Sequence, residues 1–455
     1  MSALSPQPRH QAGTASEARE AVIQIRTLAR HRWILAALAA VVVAAAAVAV
    51  LAFRGSPDRV SVEFVLGGGT AGTGTGPRRE VAGKLQTMTT DERGNVALFT
   101  RDRQGFELWT AGPGRAVERV RVPALDRVDA VSGNAALQAA AAPDGGFYLA
   151  LEEAGLWKVT RDGRASEIVK PSGRPTGVSS HVVADEVPVR RFSAYQVLGV
   201  GVGGDGTVFF SDLQDDRNSV LIHRLQSGRV TRIAGRPLRP GRQVPKEDPN
   251  LLAPETGGPA ESTYISESSI VTPLAWNNGS LYVHTGHGIL TIATATERIF
   301  PVVAGRNTAS LKRPDSPFKP FGKAIDGHVE GAAVDDGDHE ASIAVDRATG
   351  DLYYGAGRPL PGNDTTEIST RFRWGGDLTA SQRDFRGSLR SAQQTIYQVD
   401  RDGDLSVVTA GAKALSVGNG YLYIAVDSCP SSAGKCDATN YRSAVVRLRL
   451  PAART

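Results

Sequence analysis

The chain has 455 residues, with 52 Lys and Arg against 47 Asp and Glu, for a formal net charge of +5. Residues 1–54 hold six Arg, no Lys, and only Glu17 and Glu20 as acids, so they carry +4 and the remaining 401 residues are near +1. That balance excludes a basic surface spread over a whole domain, and no nucleic acid is expected as a partner.

Residues 1–32 read as a short cytoplasmic segment, too small for a folded signalling domain. Residues 33–53, WILAALAAVVVAAAAVAVLAF, are twenty-one apolar residues without a charge. About twenty helical residues cross the hydrocarbon core of a bilayer, so this stretch predicts a transmembrane helix. Arg9, Arg19, Arg26, Arg30 and Arg32 precede it, and only Arg54 and Arg59 follow closely. The positive-inside rule then places the N-terminus in the cytoplasm and the rest outside a single-pass cell-membrane anchor. A cleaved signal peptide is the alternative, since Ala47-Val48-Ala49 offers a small-x-small pattern. The length of the apolar run and its long lead favour the anchor.

Residues 54–80 hold one alternating strand, VSVEFVL at 60–66, and a Gly/Thr linker, GGGTAGTGTG at 67–76. From 81 to 450 one pattern recurs six times: an apolar strand, a polar Gly turn, an alternating strand, a loop, a third strand and a second turn. The 50 glycines include Gly94, Gly145, Gly206, Gly279, Gly350 and Gly420 at the first turn of each copy. Tight hairpins need positive φ there. Four-stranded units repeated with Gly turns predict an all-β fold, a six-bladed β-propeller preceded by the transmembrane helix. The sixth copy lacks a fourth strand after SAVVRLRL, so residues 60–66 are expected to pair beside 443–450 and close the ring.

VDRATGDLYYG, GGDGTVFFSD and GNGYLYIAVD resemble the repeat of NHL propellers, and VTRIAG with the later GGPAEST resembles the connector of bacterial NHL and teneurin-like propellers. The resemblance covers about residues 81–450 and implies a propeller. It implies no chemistry, because such folds host binding modules and enzymes alike. It is also similar to the extracellular sensor propellers of bacterial receptor kinases, without a kinase.

The long segments 171–196, 236–270, 306–340, 357–393 and 427–441 all fall between second and third strands or between repeats. In a propeller those connections share one face, which is therefore the expected binding face. His284 and His287 in HTGH, with His181 and His328 from other connections on that face, could hold Zn or Ca over the channel. The plainer reading is scattered, solvated histidines, and no resident cofactor is expected. Arg371, Arg373, Trp374, Arg383 and Arg386 could receive an anionic envelope polymer or lipid head groups. Asp335, Asp336, Asp338 and Glu340 lack EF-hand spacing and read as a solvated loop. Cys429 and Cys436, with six residues between them on the outer side, are expected to form a disulfide. No nucleophile elbow, P-loop, Rossmann fingerprint or zinc helix is present.

The expected function is a membrane-anchored extracytoplasmic binding or scaffold module holding a protein, peptide or envelope ligand, and not an enzyme. The alternative is a propeller enzyme, a lyase or a lactone/ester hydrolase, with a metal over the central channel.

Overall fold

The structure is a computed structural model. It describes residues 60–69, 80–126, 137–151, 154–172, 186–214, 219–236, 257–265, 272–285, 288–304, 320–326, 342–356, 372–374, 378, 380–391, 395–410, 414–429 and 440–451. Residues 33–53 lie outside them, and among the described residues no helix is long and apolar enough to cross a membrane.

Six sheets follow one another along the chain, each with four antiparallel blade strands. Their innermost strands are Lys84–Thr90, Leu137–Ala141, Gln196–Val202, Leu274–Asn277, Ser342–Val345 and Ala414–Gly418. Each inner strand touches the next, and the sixth touches the first, so the sheets stand as blades around a common axis. The fold is a six-bladed β-propeller. All six turn glycines expected from the sequence adopt positive φ, between 72° and 84°. They turn the chain from the inner strand of each blade to its second strand.

The core lies between the blades. Six apolar clusters are present among the described residues, and each joins residues of two neighbouring sheets. Both faces of every blade are covered, which is why a second strand such as Val208–Leu213 is buried along its whole length.

The first and last parts of the outer chain meet in the sixth blade. Val60–Leu66 lies antiparallel to Arg442–Arg449, with Val62 opposite Leu448 and Phe64 opposite Val446. Val62 and Leu66 are buried, and Glu63 pairs with Arg447 at 2.7 Å. The N-terminal strand thus supplies the outer strand that the sixth repeat lacks. Val60–Leu66 thereby covers the edge of Arg442–Arg449 that the sixth repeat would otherwise leave open.

A second device covers the outer edges. Val187–Pro188, Gly258–Pro259 and Pro320–Lys323 pair antiparallel with the outer strands of the third, fourth and fifth blades. Each runs into one turn of 3-10 helix. The first helical residue, Val189, Ala260 or Ala324, donates its N–H to a carbonyl in the adjacent outer turn at 2.8–2.9 Å. The GGPA connector is one of these straps: it blunts an edge and fixes the spacing to the next blade.

The insertion at 357–393 is partly regular. Phe372–Trp374 runs parallel to Val60–Val62 as an extra strand at the outer edge of the closing blade. Ala380–Ser391 is a helix whose Phe385 is buried beside Phe64, with ring centroids 6.4 Å apart.

Candidate functional site

A propeller axis is lined by the inner strands, so the side chains there set the width of the channel. In this chain they are small: the second inner strand reads LQAAA, the third QVLGVGV, the fifth SIAV and the sixth ALSVG. The space left on the axis is a cavity of about 1180 Å³ lined by the inner strands of all six blades and by the turns that follow them. That exceeds the roughly 300–1,000 Å³ typical of small-molecule sites. It opens toward the short turns, the face opposite the one that the loop lengths single out.

One end of the channel is crossed by Gln138 of the second blade. Its Oε1 accepts the N–H of Val200 in the third blade at 2.7 Å and that of Leu274 in the fourth at 3.0 Å. Its Nε2 donates to the Leu274 carbonyl at 2.9 Å. This requires a glycine opposite: a Cβ on Gly199 would lie 2.9 Å from Gln138 Oε1 and 2.1 Å from the Thr272 carbonyl. Thr90 and Ser416, whose hydroxyls are 2.8 Å apart, tie the first blade to the sixth beside the channel.

The rim carries charge of both signs. Asp91 accepts the N–H groups of Arg93 and Asn95 and the Asn95 side chain. Asp144 accepts the Gly146 N–H and pairs with Lys158. That bond holds the Asp144 carboxyl below its usual range and the Lys158 ammonium above its own. Asp346 accepts the Ala348 N–H and the Thr349 hydroxyl. These acids fasten their own turns.

Arg347, in the rim turn of the fifth blade, reaches away from its own blade. Its Nη2 donates to the Val202 carbonyl of the third blade at 3.1 Å. Its guanidinium carbon lies 5.4 Å from the centre of the Trp276 ring in the fourth blade. Its Nη1 donates to Glu92 of the first blade. A group rooted in the fifth blade that touches the third, fourth and first stands across the mouth of the channel.

The residues singled out from sequence lie elsewhere. His284 is fully buried on the second strand of the fourth blade, its ring centroid 6.2 Å from that of Tyr354 in the fifth. Burial lowers its pKa to about 4, against a smaller opposing contribution from the Gly355 carbonyl. It does not line the cavity. His181, His287, His328, Arg371 and Cys436 lie outside the described residues. Among the described residues no group of three or more His, Cys, Asp or Glu could hold a metal ion. Arg373 and Trp374 belong to the outer-edge strand of the closing blade. Arg383 is exposed on the helix and donates to the Leu378 carbonyl at 2.8 Å, with Arg386 one turn further on. Cys429 follows the second strand of the sixth blade.

Sequence reasoning missed Gln138, Arg347, Glu92 and Trp276. The run of alanines after Gln138 is the one signal that could have marked the wide channel.

No family model matches the chain, and no curated protein matches it. Solved structures similar to it include a protein of unknown function from Bacteroides thetaiotaomicron, at 10% identity over 85% of this chain and 75% of that one, with a TM-score of 0.42. A luciferin-regenerating enzyme matches at 10% identity over 82% of this chain and 95% of that one, with a TM-score of 0.39. The PQQ-bound aldose sugar dehydrogenase of Streptomyces coelicolor matches at 13% identity over 87% of this chain and all of that one, with a TM-score of 0.38. The propeller assignment rests on the order of the sheets and the closed ring of inner strands.

Proposed function

We propose that this chain is a membrane-anchored, extracytoplasmic binding module that holds its ligand in the axial funnel. The observation that carries the reading is the cavity itself: a wide polar-rimmed space with walls from every blade. The inner-strand sequences keep it open by placing Ala, Gly, Ser and Thr where bulkier residues would fill it. Each blade is also locked to its neighbours by an apolar cluster, so the walls are rigid and preformed, as ligand sites commonly are. The anchor reading comes from the uncharged run at 33–53 and the arginines before it. The long connections, which the sequence assigns to the opposite face, are proposed to receive a protein partner, and the basic residues of 371–386 an anionic envelope component.

Purification of the full chain from membranes, followed by mass spectrometry of what it releases on denaturation, tests the reading. Ala141→Trp, which places an indole in the funnel, is expected to abolish a co-purifying ligand that the unmodified chain retains. Retention of the same ligand by the variant would place the site elsewhere.

A further inference from the structure

We infer that the funnel recognises a carboxylate, which takes the place of Glu92 on Arg347 at the channel axis. The inference rests on the funnel being the ligand site.

Arg347 is held by two contacts that do not depend on Glu92: the Val202 carbonyl and the face of Trp276. Its guanidinium is therefore preorganised over the mouth whether or not Glu92 is present. Glu92 is held far more loosely. Its side chain is 69% exposed, against 35% for Arg347, and Arg347 is its one partner among the described residues. The other rim acids differ, because Asp91, Asp144 and Asp346 each accept backbone N–H groups of their own turns. An exposed ion pair contributes little, so the Glu92 carboxylate can be exchanged for another at small cost.

The chemistry of the incoming group follows from what Glu92 already does. A guanidinium fork accepts a carboxylate with directed N–H bonds, and here it does so within the molecule. The side chains of Arg93 and Arg115 line the same rim, and among the described residues neither guanidinium has a hydrogen-bond or ion-pair partner, so the free charge facing a ligand is positive. Below the rim, among the described lining residues, no side chain is charged. The fitting ligand carries one carboxylate at the rim end and an uncharged polar body along the Thr, Ser and Ala wall. Such a group is found on an acidic sugar and on a peptide C-terminus alike.

The test uses the full chain in detergent and titration calorimetry with four probes: a uronic-acid trisaccharide, its methyl ester, a neutral tripeptide with a free C-terminal carboxylate, and its amide. At least one acid probe is expected to bind, with its neutral counterpart binding no better than a tenth as well. Which acid binds distinguishes sugar from peptide. Arg347→Gln should weaken that binding by about tenfold or more, as loss of a charged hydrogen-bond partner does. Glu92→Gln should tighten it by up to about fivefold, since the internal competitor is gone. Both substitutions are on rim-turn residues, Glu92 exposed and Arg347 half-buried, outside the apolar clusters that join the blades. Failure of both acids, equal binding of the ester or amide, or an unaltered affinity in Arg347→Gln overturns the carboxylate inference. If Ala141→Trp also binds the acid unchanged, the funnel reading falls with it; if only Ala141→Trp loses binding, the funnel stands and the role of Arg347 does not.

Discussion

Acidification should destabilise the propeller through one histidine. His284 is fully buried between the fourth and fifth blades, and its pKa falls from 6.5 to about 4 because burial opposes the charged ring. In the unfolded chain the ring takes a proton near its ordinary pKa, whereas in the native state it stays neutral until about 4. The unfolded state therefore binds more protons between those values, and stability is full above pH 6.5 and is lost as pH falls toward 4. With about 1.4 kcal/mol per unit, the loss between pH 7 and pH 4.5 comes to about 2.5 kcal/mol from this residue. Urea unfolding of the full chain at both pH values, beside His284→Phe, isolates it. The variant cannot titrate at this position, so its stability should fall by about 2.5 kcal/mol less than that of the unmodified chain. Parallel losses in the two proteins would refute the assignment of His284 as a buried neutral base.

Gln138→Leu should cost about 2–4 kcal/mol in urea unfolding, because it orphans the Val200 and Leu274 N–H groups at the channel end. Val62→Asp should open the closing blade, since it puts a charge at a buried position; a loss above about 3 kcal/mol and rapid proteolysis near residue 60 are expected. Glu63→Gln, which removes only the exposed pair with Arg447, should stay within about 1 kcal/mol. Asp351 is partly buried and its carboxyl pKa is raised mainly by burial, so the stability it contributes is full at low pH and is lost as pH rises past its ordinary value. Asp351→Asn should therefore melt higher than the unmodified chain at pH 7 and equal to it near pH 3 by calorimetry. The proposed Cys429–Cys436 disulfide predicts that neither thiol alkylates before reduction, and that closing so short a loop adds about 2–3 kcal/mol.

The sequence on its own was enough for the propeller, because the fold is written in local terms. A turn that needs positive φ selects glycine, and Gly94 to Gly420 recur once per blade in that conformation. Strand periodicity marks each blade, and the missing fourth strand of the last repeat is matched by the one unassigned strand, VSVEFVL. The contents of the axis were decided only by the tertiary structure. Arg347, Glu92, Val202 and Trp276 lie in four different blades, and their meeting depends on the angle at which six sheets close a ring. Nothing in the spacing of those residues records that angle. Gln138 reads as a polar residue in an alanine run until the third and fourth blades bring their backbones to it. Likewise His284 reads as a ligand in an HTGH turn, and becomes a buried, neutral ring only when the fifth blade covers it. Local backbone preference acts along the chain and survives in the sequence, whereas convergence on the axis is a property of distant segments packed together.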